Sequence, residues 1–177
     1  QDVVLEQVYT VMINLFARMT PPSDVILFAD PVGKKRGDFH VLSSFCAGGY
    51  TFEILEGHGG HQHGLIYVLC EEAGILFTSD TILNLKHLSP ERSAYNNFAV
   101  YLVTTVNVDP DRVKHERKVL LHLADELDKK LQVKGRRLLY CCGHGPISIM
   151  KDGELVPVCE PLPYRHTMAE CSSRPIS

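Results

Sequence analysis

The feature that most restricts the fold is a change of hydrophobic period part-way along the chain. From Val25 to Thr78 the apolar residues come in short β-type runs: Val25–Ala29, Phe39–Phe45, Tyr50–Leu55, Gly64–Cys70 and Ile75–Thr78. Gly, Asp or Glu-Glu-Ala-Gly turns separate them. From Asp109-Pro110 to about Val133 the spacing is helical, and Val113, Leu120, Ala124, Leu127 and Leu131 make one apolar stripe on a charged cylinder. Gly135 ends that helix. Arg137–Cys142 reads as another apolar strand, and Ile147–Met150 with Leu155–Val158 flank Asp152-Gly153 as a hairpin. Strands, then helices, then strands predict an α+β or α/β sandwich.

The flanking segments carry weaker patterns. Val4, Val8, Val11, Leu15 and Met19 keep helical spacing until Pro21-Pro22. Ser89-Pro90-Glu91 has the form of a helix start, with Ser as N-cap and Pro in the first position. In Tyr95–Val106 the β-branched content favours a strand, while Ala94, Phe98, Leu102 and Thr105 keep the helical spacing by which the segment is read. A chain of 177 residues is long enough to bury about 70% of its unfolded surface in one domain. Residues 1–166 are assigned to that domain and 167–177 to a disordered tail.

Charge and composition exclude several classes. A net charge of −3 offers no general attraction to nucleic acid, and Lys34, Lys35 and Arg36, set between Gly33 and Gly37, read as a solvated turn. No apolar run approaches the roughly 20 residues of a membrane helix. Six cysteines without a framework pattern, three of them (Cys70, Cys141, Cys142) in apolar strands, suit a reducing cytoplasm. The start at Gln1, with neither Met nor a signal peptide, suggests a processed, truncated or renumbered chain.

The chemistry concentrates in histidine. Three of nine histidines lie within the six residues His58-Gly-Gly-His61-Gln-His63, between two predicted strands. Zinc needs unprotonated imidazoles, thiolates or carboxylates about 2 Å away in a near-tetrahedral array, and glycine-rich turns at strand ends supply them. Asp80 follows Ile75-Leu76-Phe77-Thr78-Ser79 at the end of an apolar strand, and His144 follows Leu138-Leu139-Tyr140-Cys141-Cys142-Gly143 at the end of another. Other readings stand beside the metal one. The cluster could be a His-rich surface loop, Cys141-Cys142 could add a thiolate or be core, and Glu53, Glu56, Glu71 and Glu72 could be general bases or surface carboxylates.

Gly60-His61-Gln62-His63-Gly64 before a strand, then Leu76-Phe77-Thr78-Ser79-Asp80-Thr81, then Cys142-Gly143-His144-Gly145-Pro146, resembles the metallo-β-lactamase superfamily over Tyr50 to Pro146. The resemblance implies an αββα sandwich whose N-terminal part is missing here. It also implies that His61 ligates one metal, Asp80 bridges two, and His144 ligates the second. His58 competes for the first role and His63 is a further candidate; His61 is preferred because only it keeps the family's distances to the following strand and to Asp80. The family's H-x-H-x-D-H motif is absent, and Ser79 replaces the usual Gly before the Asp, a change expected to be tolerated.

The activity that this resemblance implies is that of a metal-dependent hydrolase acting on a small-molecule ester, thioester, lactone or phosphodiester. Asp80 would be essential, with two zinc ions (or iron or manganese) in the complete protein. The lone chain is expected to be inactive and to be accompanied by its N-terminal complement or a second copy. The alternatives are an iron-dependent oxidoreductase on the same fold and a metal-free binding scaffold.

Overall fold

The computed structural model describes residues 33–93 and 107–159. Eight strands join in chain order into one sheet: β1 (Lys35–Arg36), β2 (Phe39–Ala47), β3 (Tyr50–Glu56), β4 (Ile66–Cys70), β5 (Ile75–Ser79), β6 (Leu139–Cys142), β7 (Ser148–Lys151) and β8 (Glu154–Pro157). Neighbours are antiparallel except β5 and β6, which run parallel. Connection length explains this. Tight turns return the chain alongside itself, whereas the β5–β6 connection carries a long helix, α1 (Pro110–Gln132), and can bring the next strand back in the same direction.

Helix α1 forms where its caps place it. Asp109 accepts the Arg112 N–H at 2.9 Å, and Pro110 occupies the first turn, where a missing N–H costs nothing. Its expected stripe is buried, and Leu120, Leu123, Ala124, Leu127 and Leu131 pack on one sheet face made by Phe39, Val41, Leu55, Tyr67, Leu69, Leu76 and Tyr140. Two carboxylates, Glu116 and Asp128, lie inside that stripe, 0% and 6% exposed. The β7–β8 hairpin closes through Asp152-Gly153 with φ of 51° and 80°, the left-handed pair of a type I′ turn. Ser89 caps a helix beginning at Pro90, its hydroxyl accepting the Arg92 N–H at 3.3 Å.

The chain is thus of mixed α+β class, as expected. The described residues make one sheet and one helical layer. On the sheet face away from α1, Phe45, Ile66 and Phe77 are each more than a third exposed. Among the described residues no helix is long and apolar enough to cross a membrane.

Three expectations need correction. Lys35 and Arg36 form a strand against β2 rather than a solvated turn, because Lys34 and Arg36 both pair with Glu53, and Arg36 also reaches Glu71 at 3.0 Å. Glu53 is therefore a buried structural acid, 8% exposed, and not a surface carboxylate. Cys141 and Cys142 are only half-buried. The expected N-terminal helix, the strand Val25–Ala29, the segment Tyr95–Val106 and the C-terminal tail lie outside the described residues.

Candidate metal centre

Topology brings the three candidate residues to one edge of the sheet. Asp80 follows β5 and His144 follows β6; since these strands are parallel neighbours, their C-terminal ends lie side by side. Strand β4 runs antiparallel to β5, so the turn entering β4, which carries His61, opens at the same edge. The side chains meet there. His61 Nε2 lies 3.5 Å from Asp80 Oδ2, and His144 Nε2 lies 3.6 Å from Asp80 Oδ1. Each carboxylate oxygen faces a different imidazole.

The local backbone makes that approach possible. Gly143 is indispensable on steric grounds, for a Cβ there would fall 1.9 Å from Asp80 Oδ1 and 2.9 Å from the Ser79 carbonyl. Ser79 itself has φ of 47°, in the left-handed region that favours glycine, so a Ser at this position carries backbone strain. Asn84 pins the far side of the His144 turn, donating its N–H to the His144 carbonyl at 3.0 Å. Its side chain donates to Ser148 Oγ at 2.8 Å.

Whether these donors suit a metal can be tested on distance and on tautomer. Separations of 3.5 and 3.6 Å are too long for good hydrogen bonds. They are near the roughly 3.3–3.4 Å between two ligands that each sit about 2.0–2.1 Å from one tetrahedral ion. His61 Nδ1 lies 2.8 Å from Asn107 Oδ1. An amide oxygen only accepts, so in this pairing the ring donates from Nδ1 and turns Nε2 toward Asp80; in neutral imidazole Nε2 then carries the lone pair, the arrangement that orients metal-binding histidines. Among the described residues no three His, Cys, Asp or Glu side chains surround a single point. The geometry is two imidazole–carboxylate pairs sharing Asp80. Two imidazoles and a carboxylate fit zinc, iron or manganese.

No family model, characterised protein or solved structure matches this chain.

The other candidates do not join the Asp80 pairs. His58 stacks on Phe39 with ring centres 4.8 Å apart and lies 6.5 Å from the His115 ring. Among the described residues no polar contact links it to Asp80. His63 is exposed, beside Gly59. Burial pushes the Cys141 and Cys142 thiols up, which disfavours thiolate, and Cys142 packs against the core. A cavity of about 410 Å³, lined by Lys34, Arg36, Glu53, Glu71, Lys130 and Arg136, lies at the opposite end of the strands and contains none of the candidate ligands.

Several residues that matter here carry weak sequence signals. Glu116 accepts the His58 N–H at 2.6 Å and the Gly60 N–H at 3.2 Å, and Tyr67 donates its hydroxyl to the same carboxylate. Tyr67 also meets Thr81 Oγ1 at 2.7 Å, and Arg117 donates to the Thr81 carbonyl at 2.7 Å. Burial, then the bond to Glu116, pushes the Tyr67 hydroxyl well above the usual phenol range, so it remains a donor. Glu116 was detectable in principle, being a carboxylate at an apolar register position three residues after Val113 and four before Leu120. Asn107 had no such signal.

Proposed function

We propose that this chain supplies part of the active site of a metallo-β-lactamase-fold hydrolase, with Asp80 shared between two metal positions, His61 on one and His144 on the other. The supporting observation is that the two oxygens of Asp80 face the Nε2 atoms of two different histidines at nearly equal distances. When bound, zinc at such a centre activates a water and stabilises charge developing on the substrate oxygen. Within this chain, Asp80 sets the separation of the two positions. Asn107 holds the His61 lone pair toward the centre. His144, 45% exposed, stands on the open side from which a small ester, thioester, lactone or phosphodiester would enter.

Three donors are too few for two ions, since a catalytic zinc ordinarily has three protein ligands of its own. Among the described residues only these three donors converge, so the reading requires further donors from outside them, from a complementary polypeptide or from a second copy of the chain, and weak metal binding by the chain alone. The partly exposed Phe45, Ile66 and Phe77 face suits such a complement, because a sheet buries both faces in a sandwich.

Zinc titration followed by calorimetry tests the proposal, with Asp80→Ala as comparison. Wild-type protein should take up zinc and Asp80→Ala should not, with its thermal unfolding intact. Equal uptake by both would remove Asp80 from the centre. No uptake by either, even at millimolar zinc, would instead favour protonated histidines paired with Asp80 in a metal-free scaffold.

A further inference from the structure

The two loops bearing His61 and Asp80 are tied to consecutive residues of the same helix. Glu116 takes the His61 loop by its main chain, accepting the N–H groups of His58 and Gly60. Arg117 takes the Asp80 loop, donating to the carbonyl of Thr81, the residue after Asp80. Tyr67, on β4 between them, closes the circuit: its hydroxyl donates to Glu116 and meets the Thr81 hydroxyl. Because the Tyr67 proton goes to a carboxylate, the Thr81 hydroxyl is the donor in their bond. The chain of donation therefore runs from Thr81 through Tyr67 to Glu116.

Helix α1 also touches the His61 loop directly. A Cβ on Gly60 would fall 2.5 Å from the Val113 N, so the loop lies flat against the first turns of the helix. The loop returns the contact, its Gly60 and His61 carbonyls accepting the N–H groups of Asp109 and Val108 at 2.9 and 3.1 Å. That second contact places Asn107, one residue earlier, beside the His61 ring.

We infer that Glu116 and Arg117 are positioning residues which together set the His61–Asp80 separation, with Tyr67 and Thr81 as the link between them. The inference rests on the proposed metal centre for its purpose, although its geometry stands without metal. Neither residue faces the candidate ligands' donor atoms; both act through the main chain of the loops. Glu116 accepts three hydrogen bonds at one buried position, from the His58 N–H and the Tyr67 hydroxyl on Oε1 and from the Gly60 N–H on Oε2; an amide whose oxygen keeps the first two turns its NH2 against the Gly60 N–H. The His61 side chain, on the clamped loop, is 15% exposed, against 45% for His144.

The test uses Glu116→Gln and Tyr67→Phe in the 177-residue chain, with Lys118→Ala as an exposed control on the same helix. The first readout is metal-free: imidazole 15N shifts of His61, which report its tautomer, and hydrogen exchange at the Gly60 amide. Wild type and Lys118→Ala should show one Nδ1–H tautomer and a protected amide. Glu116→Gln should average the tautomers and speed Gly60 exchange about tenfold, the effect of losing one hydrogen bond to a charged group. Tyr67→Phe, which keeps the ring and loses only the link, should move both in the same direction by less, and it decides the matter if Glu116→Gln does not fold. Unchanged His61 shifts in a folded variant would overturn the inference. The second readout, cobalt(II) absorbance on titration, should show affinity falling roughly 10–100-fold in Glu116→Gln. Wild type that takes up no cobalt would sink the proposed function alone, leaving the His61 shifts to decide the positioning role.

Discussion

His61 and His144 reach the same carboxylate from turns that are built differently. The His61 turn is held by side chains: Glu116 on its amides and Asn107 on the imidazole itself. The His144 turn is held by shape. Gly143 lets the backbone pass against Asp80, Asn84 fixes the carbonyl, and among the described residues no hydrogen bond engages the His144 Nδ1. One candidate ligand is thus pre-oriented and mostly covered, while the other is sterically placed and held at its ring by Asp80 alone.

The largest effect should come from filling the space that the His144 turn depends on. Gly143→Ala puts a methyl on Asp80 and the Ser79 carbonyl and should cost about 3 kcal/mol, the upper end for overpacking. Gly64→Ala, on the His61 side, meets nothing within 4 Å and should cost only about 1 kcal/mol for its left-handed backbone, φ 76°. Chemical denaturation measures both, and equal losses would erase the steric distinction between the turns.

Next is the acid that anchors the strand leading to His144. Asp128 accepts the Leu138 N–H at 2.7 Å and pairs with Arg137 at the entry to β6. Burial alone would raise its carboxyl; the bonds from Arg137, Leu138 and Gln132 outweigh it and leave the carboxyl below the usual range. A depressed folded value means the stabilisation is present above the unfolded value and lost as pH falls through the folded one. Asp128→Asn should cost about 2 kcal/mol at neutral pH, as for hydrogen bonds to a charged group. The gap to wild type should narrow in acid, below the unfolded carboxyl value of about 4. A gap independent of pH would show that Asp128 acts by packing alone.

Asn107→Ala should leave stability within about 1 kcal/mol and weaken cobalt binding roughly tenfold, by freeing the His61 tautomer. Binding unchanged by that substitution would make His61 as adjustable as His144. The smallest effect is expected at Ser79. Relief of its left-handed φ, set against the greater freedom of glycine in the unfolded chain, should make Ser79→Gly more stable by about 0.5 kcal/mol. Its Tm should rise by roughly 1–2 °C. A fall in Tm would mean that the Ser79 side chain contributes more than its backbone costs.

Much of this fold was legible locally. Helix α1 begins at the expected Asp109-Pro110, and its apolar stripe is the buried one. The Asp152-Gly153 hairpin forms where those residues predict it. His61, Asp80 and His144 each stand where a strand ends, and the three side chains converge. What escaped were charges drawn inside. Glu53 read as a general base or a surface carboxylate, and Glu116 and Asp128 went unremarked among the charges of the helix although Glu116 stands in an apolar register; each is buried with a partner. Lys34 and Arg36 read as a turn because their partner on β3 is not a neighbour in sequence.

Hydrophobic period, turn chemistry and helix caps act over a few residues, so the sequence by itself determined strands β2 to β8, the long helix and the strand-end positions of the three candidate ligands. Burial of an ionised group depends on donors that arrive from elsewhere. Glu116 meets the His58 amide across 58 positions and the Tyr67 hydroxyl across 49. Local pattern carries no trace of such meetings, and an unpaired carboxylate in those places would be too costly to bury. Only the parallel docking of β6 on β5, with α1 packed across the sheet, decided which acids are inside and which histidines face Asp80.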